Sequence, residues 1–144
     1  MATEHLVQLC VTLRPIGKPW VKVSANGMTE TQQLTAVKDF VFEFTASDNS
    51  NLVVEHYNKD ADDSVTAVEI VNVSFFGIQD PKFAWAGTYT PIYPEPWASE
   101  QPTPLPCTIA PHTYLGWNGA WRLDFSVPVF TWIHQIQNLG WLYQ

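Results

Sequence analysis

Three carboxylates within four positions, Asp60, Asp62 and Asp63, follow Asn58 in the segment Asn58-Lys-Asp-Ala-Asp-Asp-Ser64. Charges crowded in this way repel one another unless water solvates them or a cation shares them. Calcium takes about six to eight oxygens from carboxylates, carbonyls and water, and a loop between strands offers all three kinds. Asn58, Asp60, Asp62 and Asp63 are therefore candidate calcium ligands. The EF-hand spacing, its central Gly and its closing Glu are missing. The competing reading is a solvated turn in which the Asp residues serve only as turn formers.

A second candidate set is aromatic. Trp85, Tyr89, Tyr93 and Trp97 punctuate Phe83-Ala-Trp-Ala-Gly-Thr-Tyr-Thr-Pro-Ile-Tyr-Pro-Glu-Pro-Trp97. Exposed Trp and Tyr faces suit the apolar C–H face of a pyranose, and the same residue types anchor protein interfaces. Packing or subunit contact is the alternative to sugar stacking. No catalytic residues are expected: no nucleophile elbow, Gly-rich loop after a strand or local Cys–His pairing is present. Glu43, Glu55, Glu69 and Asp124 are carboxylates that only folding could pair. The histidines are dispersed, and His56 and His134, alternating with apolar neighbours, read as satisfied residues at a sheet face.

The elements that must position these residues follow a period of two. Val7, Leu9, Val11 and Leu13 alternate along the first strand, and Phe40, Phe42 and Phe44 along a strand at 38–46. Trp20 to Ala25 forms another strand closed by Asn26-Gly27, a strong turn signal. Strands are expected at 52–57 and from Val65 to about Ile78. Residues 28–37 are the best helical candidate but are too polar and short to stand alone. Eight of the eleven prolines fall between Pro81 and Pro111, which predicts a long extended connection (82–113) rather than central strands. Asn118-Gly119 predicts a hairpin between Tyr114–Trp117 and Trp121–Val127, followed by a last strand with Phe130, Trp132 and His134. The expected fold is all-β: one antiparallel β-sandwich domain over 1–144, of jelly-roll type, with a Pro/aromatic-rich connection.

Composition narrows the function classes. The 144 residues are 46% hydrophobic and 15% charged, so the chain is globular rather than disordered. A net charge of −7 denies it the basic footprint of a nucleic-acid binder. No apolar run is long enough for a membrane span. The first residues lack the regions of a signal peptide, so a soluble protein, or one that reaches a surface by assembly into a particle, is expected. Cys10 and Cys107 read as two buried thiols of a reducing compartment, with a single bridge as the alternative.

The stretch from Asn51 to Gly77, with Trp20-Val-Lys-Val-Ser-Ala-Asn-Gly27 upstream, resembles the calcium-dependent, xylan-binding carbohydrate-binding modules. The likeness covers roughly residues 18–78. It implies a small jelly-roll sandwich that binds sugar hydroxyls through a loop-held calcium ion, with Asn58, Asp60 and Asp63 in the acidic positions and Val68-Glu69 in place of a Val-Asp pair. Two departures concern the sugar site: Ser64-Val65 stands where Arg-Asn commonly follows, and the usual loop aromatic is absent. The second half, including Phe130-Thr-Trp-Ile-His-Gln135, is similar to structural proteins of tailed bacteriophages, particularly those of marine cyanobacteria. That likeness implies a virion decoration that packs against copies of itself or other virion proteins and touches surface polysaccharide. A free-standing calcium-dependent glycan binder is the alternative.

Overall fold

The computed structural model describes residues 4–59, 63, 65–93, 95, 97–103, 105–109 and 113–136. They form two facing antiparallel sheets, the expected β-sandwich. The strands are β1 (His5–Ile16), β2 (Trp20–Ala25), β3 (Met28–Gln33), β4 (Lys38–Ala46), β5 (Ser50–Tyr57), β6 (Ala67–Phe75), β7 (Ile78–Gln79), β8 (Thr88–Ile92), β9 (Tyr114–Leu115) and β10 (Asn118–Phe125). Two helices, α1 (Pro81–Trp85) and α2 (Val129–Ile136), complete the order with a short 3-10 turn at Ala98–Glu100. The first sheet runs β4-β1-β6, with β7 and β9 both on the far edge of β6. The second runs β3-β2-β5-β10-β8.

The alternating side chains do what their period requires. Val7, Leu9, Val11 and Leu13 of β1 and Phe40, Phe42 and Phe44 of β4 are buried between the sheets. Across from them lie Val21, Val23, Leu52, Val54, Trp121 and Leu123 of the second sheet. The polar stretch 28–37, too short for a helix of its own, contains the edge strand β3, Met28–Gln33. Its neighbour β2 supplies the backbone partners, and its mostly exposed side chains protect the edge.

Three expectations are corrected. The Pro-rich segment contains α1 and the strand β8, which occupies the opposite edge of the second sheet, where Pro91 costs no interior ladder bond. Tyr114–Leu115 and the strand after Asn118 do not form a hairpin. β9 pairs with β6 in one sheet and β10 with β5 and β8 in the other, so Gly116–Trp117 carries the chain across the sandwich. The segment carrying Phe130, Trp132 and His134 is helical. Val129, Trp132 and Ile133 are buried, with Ile136 packed beside them, which is the 3.6-residue stripe rather than an alternation.

The two helices close one end of the sandwich through rings. Phe75 of β6 meets Phe83 of α1 edge-on at 5.5 Å, Phe125 of β10 at 5.0 Å and Trp132 of α2 at 5.3 Å. Such edge contacts add about 0.5–1.5 kcal/mol each beyond area burial.

Two tight turns share one geometry. Asn26-Gly27 has φ of 49° and 80°, and Phe76-Gly77 has φ of 53° and 79°. Both are two-residue hairpin connections of the kind that needs positive φ at each centre. Asn tolerates that region; a bulky ring there carries a cost of about 1–3 kcal/mol.

Candidate functional site

The end of the sandwich opposite the helices gathers the termini of β5, β8, β9 and β10 with the start of β6. The acidic loop emerges here, directly after β5. Asn58 is exposed and holds φ of 60°. The next peptide is clamped: the Lys59 N–H donates to the Asn118 Oδ1 at 2.9 Å, and the Asn118 Nδ2 donates to the Lys59 carbonyl at 3.0 Å. The Lys59 ammonium donates to the Gly116 carbonyl. Burial pulls its pKa below the usual lysine value, against the opposing influence of Asp63.

Asp63 closes the loop. Its Oδ1 accepts the backbone N–H groups of Val65 and Thr66, each at 2.9 Å. The Thr66 hydroxyl and these two amides hold its carboxyl down at about 2, so it is ionised at any ordinary pH. Asp60 and Asp62 lie outside the described residues. Among the described residues no three His, Cys, Asp or Glu side chains converge on a point. The described loop donors, the Asn58 carboxamide and the Asp63 carboxylate, are the hard oxygens that calcium takes and zinc does not favour.

Beside this loop stands an aromatic cluster. Tyr93 meets Trp117 at 5.0 Å and 72°, and Trp97 meets Trp117 at 5.9 Å and 31°. Tyr93 donates its hydroxyl to the Pro106 carbonyl at 2.7 Å, which fixes its ring. Trp97 is 41% exposed and so presents a usable face. Trp117 lies between Gly116 and Asn118, the two residues that hold Lys59, so the cluster and the loop share one support.

The four aromatic candidates thus part company. Tyr93 and Trp97 join the site. Tyr89 is fully buried, its ring in the core and its hydroxyl bonded to Trp117, with the phenol pushed up to about 12 by burial. It supports the site without offering a surface. Trp85 is exposed but belongs to α1, whose Phe83 packs at the opposite end. Trp117 was missed because the expected hairpin made it a turn neighbour.

Glu43, Glu55, Glu69 and Asp124 divide between the two sheets: Glu43 and Glu69 in the first, Glu55 and Asp124 in the second. Gln8 bonds to Glu43, Arg14 pairs with Glu69 and Arg122 with Asp124. Both thiols are free, and neither fits the buried reading: Cys107 is exposed and Cys10 half-buried.

His56 sits fully buried under the loop rather than at a sheet surface. Its Nδ1 is 3.0 Å from the Leu115 carbonyl, and a carbonyl only accepts, so Nδ1 carries the proton of the neutral ring. Nε2 is buried with no hydrogen-bond partner, and Nδ1 of half-buried His134 is likewise without one. Burial lowers the His56 pKa, with the Leu115 carbonyl opposing and Lys59 adding to the shift. The unfolded chain therefore binds the His56 proton more readily than the folded one. Stability should be independent of His56 above about pH 6.5 and fall below it, with a slope of up to about 1.4 kcal/mol per pH unit. Urea melts from pH 8 to pH 5 should show this loss, and His56→Leu should flatten it; an equal slope in both proteins would refute the assignment.

No protein-family model matches the chain, and no curated protein matches it. Solved structures of vCBM60 share its fold. A selenomethionine form, described with a circular permutation that links two families of calcium-dependent carbohydrate-binding modules, superposes with a TM-score of 0.53. It is 18% identical over 84% of this chain and 90% of that one. vCBM60 in complex with galactobiose gives 0.51 at 21% identity over 83% of this chain and 97% of that one. At these identities the likeness is one of fold.

Proposed function

We propose that the protein is a non-catalytic carbohydrate-binding module whose acidic loop works with calcium. The observation that carries the reading is the shared support of loop and cluster. Asn118 and Gly116 hold Lys59 at the start of the acidic loop, and Trp117 between them carries the rings of Tyr93 and Trp97. A saccharide resting there would set an apolar face on a ring and its hydroxyls toward the loop oxygens. Asn58, Asp60, Asp62 and Asp63 would hold the ion, which when bound supplies a hard positive centre for sugar hydroxyls. The fold shared with calcium-dependent modules, one solved with galactobiose, supports this reading. Placement in a virion, implied by the likeness of the second half to tailed-phage structural proteins, is a separate proposal about where the protein acts.

Calorimetry with galactobiose and with xylobiose, in calcium and in chelator, tests the proposal. Binding should appear in calcium and vanish with chelator. Trp117→Ala should weaken it by about tenfold or more, the equivalent of about 1.4 kcal/mol. Absence of binding to either sugar in calcium, together with an unfolding temperature that chelator leaves unchanged, would overturn it.

A further inference from the structure

A groove of about 320 Å3 runs over the outer face of the first sheet, away from the acidic loop and independent of it. Gln8 and Cys10 of β1 point outward between core residues, as do Val41 and Glu43 of β4. Their strands are in register, with Gln8 opposite Glu43 and Cys10 opposite both Val41 and Ser74. Ser74 shares that outer face and is nevertheless only 8% exposed, so the groove has a floor and is not bare strand surface. The volume falls at the lower end of small-ligand sites, which span about 300–1,000 Å3.

The wall is the unusual part. Phe76 occupies the first centre of its turn at φ of 53°, where Asn26 stands in the equivalent turn. A ring is the wrong residue for the turn alone. Phe76 lines the groove, and its ring stacks on Phe130 of α2 at 4.9 Å and 24°. The Phe76 amide is anchored to the Gln8 carbonyl at 2.9 Å, which ties the ring to the groove's polar rim. Backbone strain retained at a cavity wall is a pointer to binding.

The lining selects the ligand. Among the described residues no Lys, Arg or His lines the groove, and Glu43 does, so an anion is repelled. The Gln8 amide donates to the Glu43 carboxylate at 3.0 Å, leaving carboxylate and amide oxygens to accept from hydroxyl donors. An aromatic residue and oxygen acceptors in one groove match a neutral ring with one apolar face and a hydroxyl rim. We propose that this groove is a second saccharide site, sized for a mono- or disaccharide and independent of calcium.

The test is a titration of the 15N-labelled protein, in excess chelator, with galactobiose, cellobiose and xylobiose in turn. Amide shifts at Gln8, Cys10, Val41 and Ser74 with at least one sugar are the expected result. Phe76→Asn restores an Asn-Gly turn and so keeps the hairpin; it should weaken binding by about tenfold or more, the loss of one stacking partner. Gln8→Ala with Glu43→Ala, at surface positions, should do the same while leaving the thermal melt unchanged. No groove shift with any of the three sugars would overturn the proposal, as would groove binding that survives both variants. Shifts confined to Lys59 and Trp117 in calcium would overturn this site and leave the loop reading standing. Groove shifts in chelator without any loop response in calcium would do the reverse.

Discussion

Gly87→Ala is expected to lower the unfolding free energy by about 3 kcal/mol or more, at the upper end of overpacking effects. A methyl at this position would stand 2.1 Å from Cε2, 2.2 Å from Cζ2 and 2.3 Å from Nε1 of Trp121. The indole cannot step aside: Trp121 is fully buried in β10, between β5 and β8. Its partner across the β8 ladder is Tyr89, whose hydroxyl is itself bonded to Trp117. Relief would therefore move β8 away from β10 or tilt the indole into its neighbours. In urea the midpoint should fall by about 1.5 M for an m-value near 2 kcal/mol/M. Trp121→Leu removes the overlapped atoms, so the alanine should cost far less in that background. A double-mutant cycle should show a coupling of about 2 kcal/mol or more. Additive effects would mean that the glycine matters for the chain's freedom and not for the ring it touches.

Gly87 also shows why part of the structure escaped the sequence. Along β1 and β4 each strand buries one face, so alternation alone identifies Val7, Leu9, Val11, Leu13, Phe40, Phe42 and Phe44 as core. The segment Val129–Ile136 is ambiguous on the same criterion. Phe130, Trp132 and His134 alternate, while Val129, Trp132, Ile133 and Ile136 follow a helical stripe. β-branched and aromatic content favours the strand, but Phe75, Phe83 and Phe125 offer one end of the core for a helix to cover, and tertiary packing prevails. The candidate site divides in the same way. Asn58 and Asp63 advertise themselves by composition, and Tyr93 and Trp97 by residue type. Trp117 is legible only once β9 and β10 are known to belong to different sheets, a long-range fact that no local pattern encodes. Tyr89 has the residue type of a surface anchor but lies in register with Trp121, so its ring falls inside.

The same crossing makes Asn118 the residue on which loop and cluster both depend. Asn118→Asp is expected to destabilise the protein by about 2–3 kcal/mol and to abolish the calcium-dependent sugar binding proposed above. The native carboxamide receives the Lys59 N–H and donates to the Lys59 carbonyl, so both halves of its amide are used. A carboxylate of the same shape keeps the first bond and loses the second. It then faces a carbonyl oxygen with no proton between them, leaving a part-buried acceptor unpaired at a cost of about 1–3 kcal/mol. The Lys59 ammonium, already bonded to the Gly116 carbonyl, is drawn toward the new charge, which loosens the span between Gly116 and Asn118 that carries Trp117. Asn118→Ala loses both bonds but adds no repulsion, so it should fall in the same range without drawing the Lys59 ammonium off the Gly116 carbonyl. Thermal melts order the two variants, and calorimetry with galactobiose in calcium reads the site. If Asn118→Asp melts like the native protein, the clamp on Lys59 is incidental to the fold. If it binds sugar with native affinity, the loop and the aromatic cluster do not act together.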